Sequence, residues 1–116
     1  MELVALLSTG KGSWAQVAGL LKAGEWDSIL LVGNDFARKF DAGMKAEFIT
    51  VDLEKRIVPL KEELLAKLKG KIRGTEVALS LASGTGKEHM ALISALLQIP
   101  AGIRFVALTQ EGIAFL

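Results

Sequence analysis

Residues Met1 to Gly24 read MELVALLSTGKGSWAQVAGLLKAG. Leu3 to Leu7 is a continuous apolar run of strand length, and a run without polar alternation suits a strand covered on both faces. Ser13 then offers an N-cap, with Gln16 three residues on completing a capping-box pattern. The helix this opens, over Trp14 to Ala23, carries Val17, Leu20 and Leu21 on one face and stops at Gly24. Strand, glycine-broken loop and helix follow one another within 24 residues, the repeating unit of a parallel α/β sheet.

The unit recurs. Ser28 to Val32 predicts a second strand, after which Asn34 or Asp35 caps a short helix bearing Phe36 and Phe40. Ala46 to Val51 predicts a third. Pro59 stands where a first helical turn tolerates it, and Leu60, Leu64, Leu65 and Leu68 mark one face of a helix that ends before Gly70. Val77 to Leu81 predicts a fourth strand, Lys87 to Gln98 a helix, Ile103 to Leu108 a fifth strand, and Ile113 to Leu116 an antiparallel return after the turn at Thr109 to Gly112. Right-handed crossovers leave few topologies open. The expected fold is an α/β three-layer sandwich, Rossmann-like, with a mainly parallel sheet of order 3-2-1-4-5 and a C-terminal antiparallel hairpin at its edge.

A chain of 116 residues fits one domain, residues 1–116, with no room for a second module. Half of it is hydrophobic, enough to bury a core. The formal net charge of +1 argues against direct binding of duplex nucleic acid or coating of a membrane, so any anion site is local. With no Cys and a single His89 there is no disulfide framework and no Cys/His zinc cluster. The apolar N-terminal run is too short for a membrane span and lacks a basic leader. A cytoplasmic protein without metal or cofactor is expected.

In the order 3-2-1-4-5, strands 1 and 4 are neighbours whose connections leave in opposite directions, and the loops after them flank the switch-point crevice where open α/β sheets bind ligands. Both loops are built alike: STGKGS at Ser8 to Ser13 and SGTGK at Ser83 to Lys87. Small residues let backbone approach a ligand, and the helix that follows presents unpaired amides to negative charge. A cation in a helix's first turn opposes the dipole by roughly 0.3 to 1 kcal/mol, and Lys87 sits about there. A phosphate between Lys87 and the amides turns that penalty into attraction. Without a ligand, replacing Lys87 by alanine is expected to leave stability level or slightly raised. The competing reading is of two tight turns with lysines in solvent. Neither loop is a P-loop, since Glu88 stands where Ser or Thr holds magnesium. Gly10 to Ala15 does match G-x-G-x-x-A, with Asp35 just after strand 2 where a ribose-binding acid sits, which keeps a mononucleotide or dinucleotide reading open.

Thr75 to Leu97, TEVALSLASGTGKEHMALISALL, resembles the signature of CRISPR-associated Rossmann-fold sensor domains, in which an apolar strand runs into a Thr/Ser-Gly-Gly-Thr-Lys-like loop and an Ala/Leu-rich helix. STGKGS is similar to that family's other ligand loop. This chain has Gly-Thr-Gly-Lys where the family often has Gly-Gly-Thr-Lys, and Met90 stands one residue farther from the lysine. The resemblance implies a homodimer that binds a cyclic oligoadenylate, most simply cyclic tetra-adenylate, either as a sensor or as a ring nuclease. Carried over, the ligand-binding residues are Ser8, Thr9, Gly10, Lys11 and Gly12 from strand 1, and Ser83, Gly84, Thr85, Gly86 and Lys87 from strand 4. Cleavage is then implied to be metal-free attack of a ribose 2′-hydroxyl on the adjacent phosphate, with Lys87 opposite the developing charge and Ser8 or Thr9 orienting the attacking group.

Other chemistry-bearing residues read more plainly. His89, on an apolar helix without a cysteine or a clear carboxylate partner, is a packing or interface residue. Phe36 suits core packing, while Trp14 suits either the core or a base stacked on it. Lys67, Lys69, Lys71 and Arg73 read as a solvated face. MALISALL, Met90 to Leu97, has almost no polar face, so beyond the side that meets the sheet it predicts a two-fold interface through Met90, Ile93 and Leu97.

Overall fold

The computed structural model describes residues 1–8 and 13–116. The elements run β1 (Glu2–Leu7), α1 (Trp14–Ala23), β2 (Ser28–Gly33), a 3-10 helix (Asp35–Lys39), β3 (Glu47–Thr50), α2 (Ile57–Leu68), β4 (Glu76–Ser80), α3 (Gly86–Gln98), β5 (Gly102–Thr109) and β6 (Gly112–Phe115). They form one six-stranded sheet of order β3-β2-β1-β4-β5-β6. All pairings are parallel except β5 with β6, whose antiparallel register sets Val106 opposite Phe115 and Thr109 opposite Gly112. The expected order and the antiparallel edge are both present.

β1 lies at the centre, and all six of its residues are buried. Because successive side chains of a strand point to opposite faces, it feeds two cores. Leu3, Ala5 and Leu7 pack with Val17, Leu20 and Leu21 of α1, Ala37 of the 3-10 helix and Val106 of β5. Val4 and Leu6 pack on the other face with Leu60, Leu64 and Leu68 of α2 and with Ala91, Leu92, Ala95 and Leu96 of α3. Each fully buried Leu contributes about 1.5 to 3 kcal/mol relative to exposure. Helices on both faces complete a three-layer sandwich.

Two local readings differ from expectation. Ser13 is the N-cap of α1, but its backbone is helical (φ −90, ψ −8) and its side chain makes no cap hydrogen bond. A capping serine needs the extended backbone that brings Oγ over the next turn's amides. The segment after β2 is a five-residue 3-10 helix, held by Asn34 Oδ1, which accepts from the Ala37 N–H at 3.0 Å. Phe40 lies just beyond it. Phe36 and Phe40 both pack against Trp14, with ring centroids 5.7 and 5.9 Å away.

Candidate functional site

The carboxyl ends of β1 and β4 are adjacent, as Ala5 pairs with Ser80 in the parallel register. Beyond the paired stretch the two chains stay in touch: the Ser8 N–H donates to Ser83 Oγ at 2.9 Å, with Ser8 7% and Ser83 2% exposed. The Ser8 carbonyl accepts from the Trp14 indole at 2.9 Å. Ser8 therefore has both backbone groups committed, one to the loop after β4 and one to the first residue of α1. Thr9, Gly10, Lys11 and Gly12, and with them most of the G-x-G-x-x-A pattern, lie outside the described residues.

Gly84 follows with φ 107, a region that costs other residues about 1 to 2 kcal/mol. A Cβ there would come within 2.5 Å of Leu6 Cδ2 and 3.1 Å of His89 Nε2. Thr85 then caps α3 in a complete capping box. Its Oγ1 accepts from the Glu88 N–H at 3.3 Å, and Glu88 Oε1 accepts from the Thr85 N–H at 3.0 Å. Glu88 is buried, and its carboxylate is the acid that this helix N-terminus favours. The first-turn amides of Gly86 and Lys87 have no partner inside the helix. The single histidine is engaged as well, with His89 Nε2 2.9 Å from the Ser83 carbonyl oxygen.

Lys87 does something its position in the sequence does not announce. Its Nζ donates to the carbonyl oxygens of Leu53 and Lys55, at 2.9 and 2.8 Å. The half-buried ammonium thus ties the start of α3 to the turn between β3 and α2. That turn is held from a second side by Glu63, which accepts from the Asp52 N–H at 3.2 Å and pairs with Lys55 at 3.2 Å and Lys67 at 2.9 Å. Lys67 also donates to the Thr50 carbonyl at 2.6 Å. Burial pushes the Glu63 carboxyl up, but bonds from Lys67, the Asp52 amide and Lys55, with the charge of Lys67, outweigh it and hold the group below the usual glutamate range.

A comparison with protein-family models finds no match, and one with curated proteins finds no significant similarity. The site therefore rests on its own geometry.

Of the residues named from the sequence, the structure joins Ser8 to Ser83 and places Gly84, Thr85 and Gly86 directly after that contact. Lys87 is committed elsewhere. His89 is spent on Ser83. Trp14 has its indole N–H on Ser8 and its ring against two phenylalanines, the packing role of the two expected for it. Sequence reading missed the Thr85/Glu88 box, although T-x-x-E is plain at residues 85 to 88, and missed the turn at Leu53 to Lys55, for which no local signal exists. Next to the crevice, a cleft of about 520 Å³ opens at the carboxyl ends of β2 and β3, lined by Asn34, Asp35, Phe36, Thr50, Asp52 and Glu63 among others. Among the described residues no His, Cys, Asp or Glu cluster suits a metal ion, and no helix is long and apolar enough to cross a membrane.

Proposed function

We propose that this chain binds a nucleotide phosphate at the carboxyl ends of β1 and β4, and that its ligand is a cyclic oligoadenylate, with cyclic tetra-adenylate the first to test. The observation that carries this reading is the buried Ser8 to Ser83 hydrogen bond. It supports two small-residue loops acting as walls of one crevice at the switch point of the sheet, where α/β folds bind ligands. The resemblance of Thr75 to Leu97 to CRISPR-associated sensor domains supplies the ligand class.

In this proposal a second copy completes the site across α3. Met90 and Leu97 are each 60% exposed, and Ile93 lies between them half-buried. Phe105, also exposed, shares a sheet face with Ile103, which packs toward α3, so the apolar surface extends from the helix onto β5. The protein then acts as a sensor or as a ring nuclease. In the second role a ribose 2′-oxygen attacks its adjacent phosphorus, the bond to the 5′-oxygen breaks, and a 2′,3′-cyclic phosphate and a 5′-hydroxyl form. Lys87 enters that chemistry only by releasing the carbonyls of Leu53 and Lys55. A mononucleotide or dinucleotide spanning β1 and β2 is the second reading, favoured by the acidic cleft beside Asp35, whose carboxylate suits sugar hydroxyls.

Titration calorimetry with cyclic tetra-adenylate, adenosine monophosphate and a nicotinamide dinucleotide, with products read by mass spectrometry, separates these readings. Preference for the cyclic ligand, with Lys87→Ala weakening it roughly tenfold to a hundredfold and Lys11→Ala less, supports the proposal. Binding of none of the three overturns it. Sedimentation at tens of micromolar, roughly the range of weak specific dimers, is expected to show a dimer that Met90→Glu with Leu97→Glu disperses; a well-folded parent monomer counts against the composite site.

A further inference from the structure

The two tryptophans stand at opposite ends of the sheet. Trp14 opens α1 beyond the carboxyl end of β1, and Trp26 precedes β2 at the amino end. Beside Trp26 is a cleft of about 470 Å³, within the range of small-molecule sites. On the Trp26 side of the sheet its apolar lining is Ile29 of β2, buried, and Ala46, which pack in the same core as Trp26. Its wall is Trp26, whose indole N–H donates to the Leu20 carbonyl at 3.1 Å and so fixes the ring.

The charges around this cleft are not balanced. Five charged side chains line it: Asp27, Lys45, Glu47, Lys71 and Arg73. Both carboxylates already have partners, Asp27 the Met1 amino group at 2.5 Å and Glu47 the Lys71 ammonium at 2.5 Å. Among the described residues neither the Lys45 ammonium nor the Arg73 guanidinium has a hydrogen-bond or ion-pair partner; Arg73 is anchored only through its backbone N–H, which donates to the Glu2 carboxylate at 2.9 Å. Two cations without an ion-pair partner among the described residues, beside Ile29, Ala46 and a fixed aromatic wall, suit one kind of molecule, flat and apolar at one end and anionic at the other.

We propose that the cleft at the amino ends of β2 and β3 is a second binding site, for a small planar aromatic molecule bearing a phosphate or carboxylate. The aromatic part lies against Trp26, Ile29 and Ala46, and the anionic group lies between Lys45 and Arg73. This site is independent of the switch-point crevice and stands or falls separately from it.

The test uses the two indole N–H resonances of the whole chain, one at each end of the sheet, in titrations with phenyl phosphate, benzoate and the neutral benzyl alcohol. A saturable shift of the Trp26 resonance by phenyl phosphate or benzoate, with Trp14 unmoved and benzyl alcohol at least about tenfold weaker, is the expected result. The tighter anion identifies the natural anionic group. Lys45→Ala combined with Arg73→Ala is expected to weaken binding about tenfold. That variant keeps the fold because the Arg73 anchor is backbone and the exposed Lys45 side chain makes no hydrogen bond or ion pair among the described residues, and its unliganded spectrum checks this. No saturable Trp26 shift by either anion up to about 10 mM, equal binding of the neutral compound, or unchanged affinity in the folded double variant overturns the proposal.

Discussion

Replacing Lys87 by alanine is the most informative single change, because the lone sequence and the folded chain give opposite signs for it. From the sequence, a cation leaves a helix N-terminus and stability stays level or rises by up to about 1 kcal/mol. In the structure the same change deletes two hydrogen bonds from a charged donor, to the carbonyls of Leu53 and Lys55. The half-buried bond to Leu53 is worth about 1.5 kcal/mol. The bond to Lys55 is solvent-exposed and screened, worth about 0.5 kcal/mol. The relieved dipole returns about 0.5 kcal/mol. The net expectation is a loss of about 1.5 kcal/mol, which for a chain of this length lowers Tm by about 6 °C. Urea unfolding at neutral pH, followed by far-ultraviolet circular dichroism, measures the loss directly. Lys87→Met, which keeps most of the aliphatic stem, should lose nearly as much, because the ammonium and not the methylenes makes the bonds. If Lys87→Ala is as stable as the parent, the clamp contributes nothing and the lysine's position has to be explained by a ligand alone.

Gly84→Ala should cost about 2 to 4 kcal/mol, combining the unfavourable φ of 107 with the approach to the buried Leu6, whereas Gly70→Ala, at φ 84 with open space around it, should cost only about 1 kcal/mol; paired thermal melts test the difference. Ser83→Ala removes the acceptor of the buried Ser8 N–H and should lower stability by about 1 to 2 kcal/mol in urea titration, with faster amide exchange at Ser8 than in the parent. The Glu63 carboxyl is held below the usual glutamate range, so its contribution is fully present above the unfolded-state value and is lost as pH falls through the folded one. Melts from pH 6 down to about pH 3 should therefore fall less steeply for Glu63→Gln than for the parent, and parallel curves would show that Glu63 adds nothing to acid sensitivity.

The layers were legible because their signals are local. The unbroken Leu3 to Leu7 run, the 3.6-residue spacing of Val17, Leu20 and Leu21, and the leucines of α2 each describe an element that needs no knowledge of the rest. The handedness of crossovers left few strand orders open, and the favoured one, 3-2-1-4-5, is the order of the sheet. The candidate site was legible only in part, for the same reason. That Ser8 and Ser83 meet follows from the order of the strands, but the partner of Lys87 lies more than thirty residues back, on a turn whose carbonyls carry no sequence signature. Ser13 and Thr85 make the point within one pattern. Both head a capping-box spacing, yet only Thr85 has the extended backbone, with φ −102 and ψ 168, that lets the side chain reach back. The Glu88 that closes this box also supplies the acid whose place the sequence reading gave to a ligand.

The central position of β1 has a consequence for how the molecule comes apart. Its odd-numbered apolar residues belong to one core and its even-numbered ones to the other, so no opening can separate either helical layer from the sheet without exposing a face of the same strand. The two layers are thereby obliged to melt together, and the amides of Val4 to Leu6 exchange with solvent only when the whole chain unfolds. β6, paired on one side alone, frays long before that.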